Sequence, residues 1–166
     1  IKKLNKYTKI QMEKASDCLE HYPPEYSIEL PLSSWGSGGQ FDIWHNSQTQ
    51  WMWEAIFKAE GTLKDLIDNS NLGELEERIL KQAAREILLM QSSDWPFLVT
   101  TGQARQYAIE RFKQHNEKFN QLVDMVKNNN PSEERLKEIE ECDNCFEDIE
   151  VKDLKSHRQN LLKGTK

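Results

Sequence analysis

Between Gln48 and Lys127 the hydrophobic positions recur at three- and four-residue steps, which predicts three amphipathic helices. The first, Gln48 to Asp68, sets Trp51, Ala55, Leu63, Leu66 and Ile67 near one stripe, with Met52, Ile56 and Ala59 beside it. The second, Leu72 to Gln91, carries Leu75, Ile79, Ala83, Ile87 and Met90. The third, Thr101 to Lys127, carries Ala104, Ala108, Phe112, Phe119, Leu122 and Val126, and His115 falls on the same stripe. Asn69-Ser70-Asn71 separates the first two, Ser92-Ser93-Asp94 ends the second, and Thr100 or Thr101 offers a hydroxyl cap for the third. Asn128-Asn129-Asn130 ends the long helix. Pro131 suits the first turn of a fourth, with Glu133 and Glu134 near its positive end and Leu136, Ile139 and Phe146 on its apolar side.

The first third of the chain has no such rhythm. Ser16-Asp17 can cap a short helix over Cys18, Leu19 and Tyr22 that Pro23-Pro24 stops, while Tyr7 to Met12 reads as a helical turn or a short strand. From Glu25 to Ser47, Pro31, Ser33, Ser34, Gly36, Gly38 and Gly39 supply turn chemistry without a sustained period. A loop this long is uncommon and is usually functional or disordered. Trp35, Phe41 and Trp44 argue against disorder. Alternation strong enough for a sheet is absent, so the expected fold class is all-α: a helical bundle with one long irregular loop. Residues 1–153 are read as a single domain and 154–166 as a frayed polar tail.

Composition narrows the partners. Six Phe, four Tyr and five Trp among 166 residues are enough to build a core, although charged residues reach 30%. The net charge of -6 argues against nucleic acid, because phosphate recognition depends on clustered Lys and Arg. The longest apolar run, Ile87 to Met90, is far short of the ~20 residues of a membrane helix. Three cysteines do not make a disulfide framework, and a reducing cytoplasm is the simpler reading. The chain opens on Ile1-Lys2-Lys3 without an initiator Met, and is expected to be part of something longer.

The informative stretch is Leu30-Pro31-Leu32-Ser33-Ser34-Trp35-Gly36-Ser37-Gly38-Gly39, followed by Trp44-His45-Asn46. Two tryptophans flank a glycine-rich turn. Glycine lets the backbone take positive φ and lets a ligand approach. An indole offers a flat apolar face, on which the C–H face of a glucose ring can rest, plus one N–H donor. On these residues alone the tryptophans read more readily as core plugs of a long loop than as a binding surface, since Trp is highly buried on average.

A resemblance adds to this. The run Leu30 to Trp53 resembles the segment that follows the barrel in family 57 glycoside hydrolases of the α-glucan branching-enzyme type: Leu-Pro, Ser-Trp-Gly-x-Gly-Gly, Ile-Trp, an Asn, then Trp-x-Trp at a helix head. Ala83 to Leu98, with Ser93-Asp94-Trp95-Pro96-Phe97, is a second match, and Thr100-Thr101-Gly102-Gln103-Ala104 with Tyr107, Ala108, Arg111 and Phe112 is a third. The similarity spans about residues 16 to 150, in the family's order.

The resemblance implies a C-terminal helical domain that packs on a (β/α)7 barrel and helps wall the cleft for an α-1,4-glucan. The barrel would supply a Glu nucleophile and an Asp acid/base, held about 5–5.5 Å apart for retaining chemistry. No catalytic residue is therefore assigned here, and no cofactor or metal is implied. Trp35 and Trp44 match the two tryptophans that project toward the cleft; Trp95 and Asp94 are second candidates, Asp94 reading slightly better as a helix cap. Gly38 and Gly39 complete the expected binding loop. Trp51, Trp53, Phe57 and Phe97 are expected to form an apolar face that docks on the barrel. The sequence departs from the pattern at Gln40-Phe41, where an acidic residue and His or two His are common, and at His45.

Other motifs carry less. Cys142-Asp143-Asn144-Cys145 is a lone C-x-x-C, with Cys18 and His157 remote in sequence, and is not read as a metal or redox site. His115 reads as a satisfied core or interface histidine. Gly36-Ser37-Gly38-Gly39 lacks the Lys-Ser/Thr of a phosphate loop. Two alternatives stay open: the same domain in an α-amylase or 4-α-glucanotransferase, and a stand-alone helical carbohydrate-binding or interaction module.

Overall fold

The computed structural model describes residues 3, 6, 9, 10, 12–69 and 72–154. The expected break at Ser70-Asn71, part of the Tyr7–Met12 stretch, His157 and the tail 155–166 lie outside them. Two compact units divide the chain, 1–33 and 34–166. Among the described residues every regular element is helical: α1 (Ala15–His21), α2 (Gln50–Asn69), α3 (Glu74–Met90), α4 (Asp94–Thr101), α5 (Arg105–Lys127), α6 (Glu133–Cys142) and α7 (Val151–Leu154), with one 3₁₀ turn at Ser37–Gly39. The all-α expectation holds. No described helix is long and apolar enough to cross a membrane.

In the first unit, α1 follows Lys14, which makes no side-chain cap bond, and Asp17 lies inside its first turn. The expected Ser16-Asp17 cap is therefore wrong by two residues. None of the residues of α1 is buried. Residues 23–31 follow without helix or strand, and Tyr26, Ile28, Leu30 and Leu32 alternate with polar residues or proline along an exposed edge.

In the second unit, α3 is the central element and packs against α2, α5, α6 and α7. The sequence predicts one apolar stripe on it. In the structure everything from Gln82 to Ile87 is buried, because neighbours cover α3 on several sides. On α2 the buried stripe is Met52, Ile56, Ala59, Leu63 and Ile67, while Trp51, Ala55 and Leu66 are only half-buried. The true core face is thus rotated from the expected one. Gly61 within α2 costs about 1 kcal/mol against Ala. Burial of each large apolar side chain returns roughly 1.5–3 kcal/mol, so packing rather than intrinsic propensity holds this helix.

Four element boundaries differ from expectation. The stretch from Asp94 to Thr101 is a helix of its own. Thr100 and Thr101 end it, with Gly102 at φ 74° as its left-handed stop, and so they do not cap α5. The residue before α5 is Ala104, which makes no side-chain cap bond. Asp94 is the first residue of α4 rather than its cap; Ser93 precedes it, also without a cap bond. Pro131 lies outside α6, whose cap is Ser132, accepting from the Arg135 N–H at 3.3 Å. Phe146 is beyond α6, at φ 57° and exposed, so it is not on that helix's apolar side; Leu136 and Ile139 are. Arg78 on α3 bonds Glu140 on α6, at 2.9 Å from Nε, and this hydrogen bond holds the guanidinium above its ordinary pKa.

Candidate functional site

The glycine-rich segment folds as a small closed loop. The Ser34 N–H donates to the Gly39 carbonyl and the Gly39 N–H to the Gly36 carbonyl, both at 2.9 Å. Gly38 and Gly39 sit at φ 67° and 71°, the left-handed region that a side chain resists. The Ser34 hydroxyl donates to the Gln40 carbonyl and accepts from the Gly36 N–H. The chain then turns again, with the N–H groups of Trp44 and His45 both donating to the Phe41 carbonyl.

Asn46 fastens this turn to the bundle. Its amide donates to the Asp42 carbonyl at 2.6 Å and to Thr100 Oγ1 on α4 at 2.9 Å, and its side-chain oxygen accepts from the Gln48 N–H. The Trp44 carbonyl accepts two bonds, from the fully buried Thr49 hydroxyl at 2.9 Å and from Trp53 Nε1 at 2.8 Å. The backbone of Trp44 is therefore held from the first turn of α2.

Around this anchor the rings gather. Trp35 meets Trp44 edge-on, centroids 5.0 Å apart and planes at 82°. Phe97 of α4 lies 5.7 Å from Trp35 and 6.3 Å from Trp44. Trp35 is 76% exposed although it stands in an aromatic cluster. Beside the cluster runs a groove of about 640 Å³, within the usual range for ligand sites. Its aromatic walls are Trp35, Phe41, Trp44, Trp53 and Phe57, and its floor is Met52, Ile56, Met90 and Phe112. Polar groups stand among them: Ser34, His45, Gln91, Ser92 and Ser93. The His45 ring is 6.2 Å from Trp53, edge-on.

Of the residues singled out from the sequence, Trp35 and Trp44 come together at this groove. Trp95 and Asp94 do not line it. Trp95 is half-buried, donates Nε1 to the Leu89 carbonyl at 2.8 Å and packs against Tyr107. Gly38 and Gly39 shape the loop without lining the groove. Among the residues expected to form a docking face, Trp53, Phe57 and Phe97 surround the groove or its cluster, whereas Trp51 turns to Phe112, 5.1 Å away. Sequence reasoning passed over Asn46 and Thr49 as anchors. Their one signal is position: polar side chains directly before the Trp-x-Trp helix head, where N-capping groups belong.

A second polar cluster lies inside the bundle. Glu86, His115 and Asp143 are all buried, with potential ligand atoms within 4.8 Å of one another. Arg111 can only donate, so its bond at 3.1 Å makes His115 Nε2 the acceptor. His115 Nδ1 then carries the hydrogen and donates to Glu86 Oε2 at 2.8 Å. Gln82 donates to the other Glu86 oxygen and to the Asp143 carbonyl, each at 3.0 Å, and Lys118 pairs with Asp143. A divalent cation here would have to displace the Lys118 ammonium and break the His115–Glu86 bond. Among the described residues no buried side-chain polar atom lacks a partner. The cluster is an internal clamp joining α3, α5 and the segment after α6, and His115 is the satisfied core histidine expected of it.

Comparison with known proteins places these features. A family profile described as "1,4-alpha-glucan branching enzyme, C-terminal" matches residues 55–153. A 1,4-alpha-glucan branching enzyme of Thermococcus kodakarensis is 40% identical over 139 residues, which is 80% of this chain and 21% of that protein. The chain thus spans about a fifth of that relative's length. The crystal structure of a family 57 branching enzyme from the same archaeon, in complex with glucose and additives, superposes with a TM-score of 0.80 at 34% identity, covering 89% of this chain and 28% of that one. A family 57-type branching enzyme from Pyrococcus horikoshii gives 0.78 at 34%, over 90% and 29%. An α-amylase from Thermotoga maritima gives 0.71 at 30%, over 93% and 28%.

Proposed function

Because the chain belongs to the family of 1,4-alpha-glucan branching enzyme C-terminal domains, we propose that residues 1–153 wall the glucan cleft of a retaining glycosyl transferase of family 57. In this reading the enzyme cleaves an α-1,4-glucan and rejoins the piece in α-1,6 linkage, and the catalytic carboxylates belong to the barrel of the parent chain. The observation that carries it is the Trp35–Trp44–Phe97 cluster at the rim of the groove, in which an exposed Trp35 rests on half-buried Trp44 and Phe97. An indole that is largely open to solvent yet fixed by a second indole is a preorganised stacking surface for a sugar ring. Gly38 and Gly39 hold the loop that presents it; Trp95 and Asp94 stand second as glucan contacts because they lie away from the groove.

The apolar surface around the groove has a different role. Met52, Ile56, Met90 and Phe112 beneath it are buried in the core, and the apolar side chains open to a partner are Phe41 and Phe57, 44% and 62% exposed, beside Trp35. Exposed apolar surface of this kind marks an interaction site. Here its occupant is the barrel of the parent chain, with the glucan at the rim where Trp35 stands. The free state of Cys18, Cys142 and Cys145 supports a reducing, cytoplasmic setting.

The similarity to an α-amylase favours one second reading, hydrolysis on the same scaffold. Proton NMR of amylose treated with the full-length gene product separates them. New α-1,6 signals with few new reducing ends are expected; reducing ends without α-1,6 linkages would make the parent an amylase.

A further inference from the structure

We propose that Gly36 is a positioning residue, whose missing side chain leaves the space that the edge of the Trp44 indole occupies and so fixes the Trp35–Trp44 pair. The consequence for glucan binding rests on the function proposed above; the packing role does not.

Gly36 is buried in the middle of the loop, at φ -64° and ψ 171°. Any residue adopts that backbone. Its glycine is therefore not required by conformation, unlike Gly38 and Gly39, which have positive φ and where a Cβ would meet nothing closer than the Ser34 carbonyl oxygen, 3.9 Å from that of Gly39. The constraint at Gly36 is room. A Cβ there would stand 2.8 Å from the Gln40 carbonyl oxygen, 3.0 Å from Trp44 Cζ3 and 3.1 Å from Ser34 Oγ.

The three neighbours differ in how far they can yield. The Gln40 carbonyl and Ser34 Oγ are bonded to each other, and Ser34 Oγ also accepts from the Gly36 N–H, so moving either opens the loop. The backbone of Trp44 is pinned by the Phe41 carbonyl at its N–H and by Thr49 and Trp53 at its carbonyl. The indole ring alone can move without breaking a hydrogen bond, by rotation about its side-chain torsions. Rotation away from Gly36 takes the ring out of its edge-on contact with Trp35. An added methyl thus presses on the Gln40 carbonyl as well as on the ring; it disturbs the loop and turns the indole, while the helices, which supply none of the three atoms, stand.

The test is Gly36→Ala, with Gly61→Ala as control, since a Cβ at Gly61 meets nothing within 4 Å. Nuclear Overhauser contacts between the ring protons of Trp35 and Trp44 are recorded on the chain. They are expected in wild type and Gly61→Ala and lost in Gly36→Ala, with the helical circular dichroism unchanged. In the full-length gene product, KM for amylose should rise on the order of ten-fold with little change in kcat, as for removal of uniform binding.

Contacts that persist in Gly36→Ala, or are missing in wild type, overturn the proposal, as does a KM that responds to Trp35→Ala but not to Gly36→Ala. If the contacts vanish while KM ignores both variants, the positioning role stands and the glucan reading falls. A Gly36→Ala chain that does not fold at all overturns the proposal too, because the Gln40 carbonyl at 2.8 Å rather than the Trp44 ring would then be what the glycine makes room for.

Discussion

Glu86 shows how much a single buried side chain can hold. It is fully buried, and its two oxygens accept from His115 and Gln82. Truncation leaves the His115 Nδ1–H and one Gln82 amide N–H without an acceptor. Glu86→Ala should therefore cost roughly 3–6 kcal/mol, from two buried hydrogen bonds to a charged acceptor at about 1.5–3 kcal/mol each. Glu110→Ala, which removes an exposed partner of Gln106, should stay within about 0.5 kcal/mol. Urea midpoints of the two variants check this, and equal shifts would show that the clamp carries no special weight. His115 could be read as an internal histidine because it falls on the stripe of Ala108, Phe112 and Phe119. Glu86 could not, because an acidic residue between buried neighbours looks like any solvated helix position until α5 and the 143–147 segment cover it.

Among the elements, the long periodic helices were legible, α1 and α6 were legible apart from their ends, and α4 and α7 were not read as helices of their own. α2, α3 and α5 announce themselves over 17 to 23 residues. α4 has eight residues, begins Asp94-Trp95-Pro96 and has little amphipathic contrast, so its existence depends on packing against α5. The Trp35 and Trp44 loop was legible as irregular, but its closure through Ser34, Gly36 and Asn46 is a matter of tertiary bonds that spacing does not encode. Two variants weigh local terms against packing. Ser132→Ala removes the one side-chain hydroxyl that caps α6 and should destabilise by ~1 kcal/mol. Gly61→Ala lies in open space inside α2 and should stabilise by up to about 1 kcal/mol. Thermal melts of both, beside wild type, give the signs; a destabilised Gly61→Ala would mean that the α2 surface is covered by something that needs the gap.

On the scale of the whole molecule, the chain carries more apolar surface than its own core uses. Tyr26, Ile28, Leu30 and Leu32 are exposed in the first unit, and Trp35, Phe41 and Phe57 in the second. The proposed docking against a catalytic barrel predicts such surface, and among the described residues no Asp or Glu lines the groove. The 166-residue chain alone should therefore release no reducing ends from amylose and form no branches; turnover abolished by a point mutation within it would place catalysis here. The central claim is that the Trp35 and Trp44 pair serves substrate rather than folding. Its most direct test is Trp35→Ala in the full-length gene product, read in two ways at once. Because Trp35 is 76% exposed, the unfolding free energy should fall by no more than about 1 kcal/mol, against ~3–5 kcal/mol for a buried Trp. The branching rate at low amylose should meanwhile fall on the order of ten-fold. A large loss of stability, with activity falling only in proportion to folded protein, would contradict the account.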